Sequence, residues 1–250
     1  MQAYGPIFAG VYNKRWSAFA RQMAPLILDF YSETSTGKTS KSVLDMGCGT
    51  GQLALHFLEN GYKVVGIDSS EHMLRYANEN ARNYVDAGQA RFIQGNVAEF
   101  HLDDRFGLVV STFDTLNHLP DGEALINSFG CAASVSDGFF IFDLNTRAGL
   151  NRWNNIQVDD SEEMLIITRG IYDGQADRAW TRISGFVKRE DGAFARFDET
   201  AFNTVFDLIK VRDELLRAGW VNAYFARAQD LTTPIDEPEQ EGRVFIVASK

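Results

Sequence analysis

Residues 44–51 read LDMGCGTG, and the stretch that follows closes at VVGIDSS (64–70). An aspartate, Asp45, ends a short apolar run, and Gly47, Gly49 and Gly51 then occupy every second position. Glycine loses the most backbone entropy on folding, so three within five residues imply that something must approach the main chain closely. A strand, a glycine turn and a helix opening at Gly51 form the arrangement that binds ligands beyond the carboxyl ends of parallel strands.

Outward from this stretch, short apolar strands alternate with amphipathic helices: SVLDM, a helix from Gly51, YKVVGI, a helix over Glu71–Val85, ARFIQG, FGLVVS, a helix over Asp121–Val135, and GFFIFDL. The pattern predicts an α/β fold with a Rossmann-like, seven-stranded, mostly parallel sheet and helices on both faces. Upstream, YGPIFAGVYN reads as a short entry segment. Residues 14–32 carry apolar positions at helical spacing, with Pro25 expected to kink or restart the helix, and ETSTGKTSK reads as a polar loop. After residue 150 the period changes. MLIITRGIY, AWTRISGFVKRE and AFARFDETAFNTVF, separated by YDGQAD and EDGA, read as antiparallel strands joined by tight turns. A helix capped by Asp207 and closed by Gly219, a strand near Asn222–Ala228 and the final RVFIVASK resume the first pattern. The organisation is a lid and helix (1–40), a ligand-binding core (41–150), an antiparallel β insertion (151–206) and a completion of the core sheet (207–250).

Composition narrows the partners. A formal net charge of −10 argues against nucleic acid and anionic membranes, which need a positive field across the contact. Two cysteines, Cys48 and Cys131, suit a reducing compartment. No apolar run has the length of a membrane span, and Lys14 and Arg15 follow the apolar N-terminal residues rather than precede them, unlike a signal peptide. The expected location is the cytoplasm. No Cys/His cluster points to a metal.

The glycine spacing G-x-G-x-G differs from the dinucleotide fingerprint G-x-G-x-x-G, which places a pyrophosphate on the helix N-terminus. It resembles motif I of the class I S-adenosylmethionine-dependent methyltransferases, and the resemblance extends over nearly the whole chain. The entry segment is similar to the Y-x-x-F-A-x-x-Y-D lid of small-molecule members, with Asn13 replacing the usual acid; FGLVVSTFDTLNHL resembles their fourth-strand motif. Amino-sugar and glycine N-methyltransferases are among the similar groups.

The resemblance implies roles by position. Gly47 and Gly49, with Cys48 between them, would pass beneath the cofactor, and Asp45 would meet its ammonium. Asp68, beside Ser69, would grip both ribose hydroxyls, since a carboxylate offers two acceptor oxygens to a vicinal diol. Met73 would pack on the adenine; Asn96, where aspartate is commoner, and Val97 would flank it. Ser111, Thr112 and Phe113 would border the methionine end, with Tyr12 closing over it. Tyr4 and Phe8 would face the acceptor from the lid. His118 is the first candidate for proton exchange, its ordinary pKa of about 6.5 suiting that task, with Tyr12 second. Arg147, after the strand ended by Asp143, could bind an acidic acceptor group, and Asp114 could orient a donor. His56, His72 and His101 read as structural or solvated. Trp153, Trp180, Arg182 and Arg196 are candidates to line a pocket in the insertion, although alternate strand residues must face the core.

The expected activity is methyl transfer from S-adenosyl-L-methionine to N or O of a small molecule, leaving S-adenosyl-L-homocysteine. A homodimer through the insertion is possible. Action on RNA or protein, or cofactor binding without catalysis, are the alternatives; the glycine spacing disfavours nicotinamide chemistry.

Overall fold

A computed structural model describes residues 4–250; the first three residues of the expected lid segment lie outside the described residues. In chain order the elements are helices α1 (Pro6–Arg15), α2 (Ser17–Glu33) and α3 (Ser35–Thr39), then β1 (Ser42–Met46), α4 (Gln52–Glu59), β2 (Lys63–Asp68), α5 (Glu71–Asn80), α6 (Arg82–Asp86), β3 (Ala90–Gln94), β4 (Phe106–Ser111), α7 (Gly122–Val135) and β5 (Ser136–Asn145). A short helix α8 (Arg147–Leu150) leads to β6 (Ile156–Asp160), β7 (Met164–Asp173), β8 (Arg178–Lys188) and β9 (Phe194–Thr204); α9 (Leu208–Arg217), β10 (Asn222–Ala226) and β11 (Arg243–Ser249) follow.

The main sheet has the order β10-β11-β5-β4-β1-β2-β3, with β1 to β5 parallel and β11 antiparallel to both its neighbours. β1 pairs with β2 on one side and β4 on the other, so successive crossovers leave it in opposite directions. That reversal opens a crevice at the carboxyl ends of β1 and β4. Side-chain alternation divides the core between the two faces. Phe140 and Phe142 of β5 pack with Phe129 of α7 and Trp220, while Val43 of β1 and Ile141 of β5 face Ile27 and Tyr31 of α2 and Phe57 of α4. Each fully buried phenylalanine contributes on the order of 2–3 kcal/mol, which fixes the platform under the crevice.

The insertion is a separate antiparallel meander, β6-β7-β8-β9. Its inner face sets Ile166, Ile183 and Phe197 against Phe8 and Val11 of α1 and Met73 of α5. It therefore stands over the crevice and shares its roof with the lid helix.

Five local expectations are corrected. The entry segment is itself helical: Pro6 occupies a first-turn position of α1, where its missing N–H costs nothing. The chain breaks at Trp16 (φ −101°, ψ 8°), so the helix read over 14–32 is the tail of α1 followed by α2. Pro25 does not end α2, because burial of Met23, Ala24, Ile27 and Tyr31 outweighs one lost backbone bond. In the polar loop, Thr34 accepts a bond from Gly37 N (2.9 Å) and nucleates α3, and the helix read over Glu71–Val85 is interrupted at Ala81.

Candidate active site

The three glycines of the β1–α4 loop all take left-handed backbone angles, with φ of +76° at Gly47, +53° at Gly49 and +76° at Gly51. At Gly47 a Cβ would also lie 2.2 Å from Thr115 Cγ2, so conformation and space both exclude a side chain. The loop is tied to β2 by Gly47 N and Cys48 N, which donate to Ile67 O at 2.7 and 3.0 Å. This brings Asp68 beneath it. Gly49 N donates to Asp68 Oδ2 and Ser70 N to Oδ1, each at 2.9 Å. Each oxygen keeps a further lone pair, and the carboxylate lines a cavity. Asp45 lies behind that lining. Its Oδ2 is buried without a hydrogen-bond partner, and burial, followed by the charge of Asp68, pushes its pKa up to about 7. An orphaned buried carboxyl of this kind calls for a donor, above all a cationic one.

The cavity encloses about 760 Å³ between the loop, α1, the insertion and the residues after β4. Tyr4, Phe8, Tyr12 and Trp16, spaced four apart, form an aromatic row along α1 with successive ring centroids 4.9, 6.2 and 6.3 Å apart. The row is pinned at both ends. Ser70 Oγ donates to Tyr4 O (3.1 Å) and Gly5 N to Glu199 Oε1 (2.8 Å), while Asn13 Oδ1 accepts from Gln52 Nε2 (3.2 Å) and Asn80 Nδ2 (2.8 Å). Burial, then nearby Tyr4, Asp114, Asp68 and Asp45, pushes the Tyr12 phenol well above its ordinary pKa. Tyr12 is therefore suited to donating a hydrogen bond and not to accepting a proton.

The far wall is the turn after β4. Phe113 and Asp114 both adopt left-handed angles (φ +64° and +51°) without being glycine, a strain of about 1–2 kcal/mol each. Buried Asp143 holds them, accepting from Phe113 N (2.6 Å) and Asp114 N (3.0 Å). Arg243 bonds Asp143 and also Asp114 Oδ1 (2.8 Å), with its guanidinium beside the stacked rings of Phe19 and Phe113. The 3-10 turn Thr115–His118 comes next. Asn117 fastens it, accepting from Asn145 N (2.9 Å) and donating to Thr204 O (2.9 Å). His118 Nδ1 lies 2.7 Å from Phe202 O. A carbonyl only accepts, so Nδ1 carries the hydrogen and neutral His118 presents a lone pair at Nε2. Asp114 Oδ2 is 3.8 Å from that nitrogen.

The predicted residues Tyr4, Phe8, Tyr12, Gly47, Gly49 and Asp68 line this cavity, as do Ser69, Met73, Asn96, Val97, Phe113 and His118. Asn96 spends one lone pair of its side-chain oxygen on Ala98 N (3.0 Å). Other predictions are corrected. The Cys48 sulfur packs against Gly66 beneath the loop, so only its backbone is left for the cofactor role expected of it. The side chains of Ser111 and Thr112 are likewise buried behind the wall, the former donating to Met46 O (2.8 Å), which leaves the backbone role expected of them as a proposal. Arg147 lies outside, bound by Asp177 at 3.0 and 2.8 Å, because the turn of α8 carries it away from the sheet edge. In the insertion Trp153 lines the cavity, whereas Trp180 does not, and Arg182 and Arg196 pair with Asp198 on the outer side. Arg243 and Glu199 were not anticipated. Arg243 is the lone charged residue of β11, and Glu199 is one of three in β9 with Arg196 and Asp198; what sets them apart is their three-dimensional pairing.

A methyltransferase-domain family matches residues 43–132. A protein of Geobacillus sp. (strain WCH70), itself only provisionally assigned as a methyltransferase, is 28% identical over 215 residues, covering 84% of this chain and 85% of its own. A ubiquinone biosynthesis O-methyltransferase of Pectobacterium carotovorum is 30% identical over 152 residues, covering 60% of this chain and 61% of its own. Among solved structures, an S-adenosylmethionine-dependent methyltransferase from Clostridium acetobutylicum superposes with a TM-score of 0.79 at 20% identity over 97% of both chains. A sugar N-methyltransferase from Streptoalloteichus sp. gives a TM-score of 0.77 at 19% identity, over 100% of this chain and 95% of its own.

Proposed function

We propose that this chain, which is a class I S-adenosylmethionine-dependent methyltransferase, transfers the methyl group to a nitrogen or oxygen of a small molecule held in the 760 Å³ cavity. The observation that carries the reading is the continuity of one cavity from the glycine loop to His118. Three features of the loop end suit the cofactor: an orphaned Asp45 oxygen just behind the lining to meet its ammonium through water, two anchored Asp68 oxygens for its ribose diol, and glycines that leave the backbone bare. Met73 and Val97 offer apolar surface for the adenine.

When bound, the sulfonium supplies an electrophilic methyl group and a good leaving group. The chain's own contribution is orientation and exclusion of water. The aromatic row of α1, fastened at both ends, closes the space, and holding both partners in line can supply up to roughly 7–11 kcal/mol. His118, its Nδ1 proton committed to Phe202 O, is placed to take the acceptor's proton on Nε2. Tyr12 serves as a hydrogen-bond donor. An acid-lined, roofed cavity and a net charge of −10 disfavour nucleic acid as the acceptor. No helix among the described residues is long and apolar enough to cross a membrane.

The test is a homocysteine-release screen of amines, amino sugars, phenols and small carboxylic acids. With an accepted compound, His118→Gln lowers turnover about a hundredfold while leaving S-adenosylhomocysteine affinity unchanged. Wild-type turnover in that variant removes His118 from the chemistry, and failure of the wild type to bind S-adenosylhomocysteine removes the reading itself.

A further inference from the structure

The charges of the cavity lining are unbalanced. Besides Asp68 below the glycine loop, the lining carries Asp114 from the turn after β4 and Glu199 from the inner face of β9, where it meets the start of α1. Arg243 is the one Lys or Arg among the lining residues, and it is already shared by Asp114 and Asp143. Two carboxylates around one guanidinium leave a net negative charge there, and Glu199 adds to it.

Glu199 is bound on one side only. Its Oε1 accepts from Gly5 N at 2.8 Å, where the chain enters α1, and Oε2 makes no hydrogen bond or ion pair among the described residues. Tyr4 and Phe8 of the lid and Trp153 of the insertion line the same cavity. A carboxylate facing a cavity with aromatic walls attracts an alkylammonium through both the charge and the ring faces. It gives a neutral alcohol little and repels an acid. That Asp114, Asp68 and Glu199 all bear on the Tyr4 hydroxyl, raising its pKa after burial does so, agrees with their converging on one space.

Building on the methyltransferase reading above, we infer that the acceptor is a basic amine and that Glu199 is the residue that selects it. The amine arrives as an ammonium held by Glu199 Oε2. One of its protons passes to His118 Nε2, and the freed lone pair forms the new N–C bond as the C–S bond breaks and its electron pair returns to sulfur. The product leaves as the methylated ammonium, with a neutral thioether beside it, and His118 returns its proton to solvent. The shared clasp on Gly5 couples this recognition to the lid, since the same carboxylate binds the acceptor and fastens α1.

The experiment uses the full chain saturated with S-adenosylhomocysteine. Matched amine, alcohol and carboxylate probes on cyclohexylmethyl, benzyl and 2-deoxyhexose scaffolds are titrated calorimetrically. On at least one scaffold the amine binds about tenfold or more tightly than its alcohol and carboxylate counterparts. Glu199→Gln keeps the side chain's size and an oxygen for Gly5 N; it brings that preference down to about threefold or less, with S-adenosylhomocysteine affinity unchanged as the check on folding. Glu199→Asp, which keeps the charge, restores part of the preference. The inference is overturned where no amine outbinds its alcohol, whether the two bind equally or not at all, or where the preference survives in Glu199→Gln. Absence of S-adenosylhomocysteine binding to the wild type takes down the underlying reading as well.

Discussion

The glycine loop and the turn after β4 face each other across the cavity, use the same left-handed backbone, and hold it by opposite means. Gly47, Gly49 and Gly51 adopt positive φ because nothing opposes it. Phe113 and Asp114 adopt it against their own sterics, and a buried Asp143–Arg243 pair keeps them there. The loop end is a backbone device that any sequence with the right glycines can build. The turn end is a side-chain device whose parts come from β4, β5 and β11, and it carries the groups proposed above to meet the acceptor. Such a division lets the acceptor half change without disturbing the cofactor half.

The largest expected effect tests the turn end. Asp143→Ala leaves Arg243 buried opposite Asp114 alone and removes the acceptor for two strained N–H groups. A loss of about 3–5 kcal/mol is expected, read as a lower midpoint in urea unfolding. A midpoint within experimental scatter of wild type would mean that the turn holds itself and that the contrast with the loop is false. On the loop side, Asp68→Ala removes both oxygens proposed to hold the ribose and the partner of Gly49 N. S-adenosylhomocysteine affinity should fall about a hundredfold, near 2.7 kcal/mol, with the unfolding midpoint changed far less than in Asp143→Ala.

Asp45 sharpens the comparison through pH. Its folded pKa of about 7 lies above the ordinary carboxylate value, so between those two pH values the folded state binds more proton than the unfolded one. Stability from this group is therefore greatest on the acid side and is lost as pH rises through 7, the reverse of a salt-bridged aspartate. Between pH 5 and 8 the loss is about 2.5 kcal/mol. It should appear as a falling Tm in the ligand-free wild type and be absent in Asp45→Asn. Saturating S-adenosylmethionine should flatten it, because an ammonium beside Asp45 stabilises the ionised form. Parallel pH profiles for wild type and Asp45→Asn would show that the carboxyl is already partnered.

The same division explains what could be read from the chain. The strand–helix alternation, the glycine loop, Asp68 and the insertion follow from local patterns: period-two and helical spacing, turn dipeptides at EDGA, an acid at a strand end. All of these are written within a few residues of where they act. Arg243 and Glu199 act across 129 and 194 residues of sequence separation, on Asp114 and Gly5, and no local pattern marks them. The break at Trp16 was hidden for a related reason. Trp16 continues the spacing of Phe19, Ala20, Met23 and Ile27, so the period places the start of the helix before the break and gives Lys14 and Arg15, the last turn of α1, to α2. Cys48 and Arg147 failed in the other direction, being near the site in sequence while a single turn of backbone points them elsewhere.

Arg147 gives the smallest expected effect. Its bidentate pair with Asp177 is half exposed on both sides, where screening and side-chain entropy leave such pairs worth about 0–1 kcal/mol. Asp177 itself sits at φ +47° in the β7–β8 turn, so the pair's work is to steady the hairpin. Arg147→Ala should therefore shift the unfolding midpoint by less than about 1 kcal/mol and leave the acceptor KM and kcat as they were. The opposite outcome, a raised acceptor KM with unchanged stability, would place a second cation at the acceptor end. The charge there would then be balanced rather than negative, and the turn half of the cavity would suit an acidic acceptor as well as a basic one.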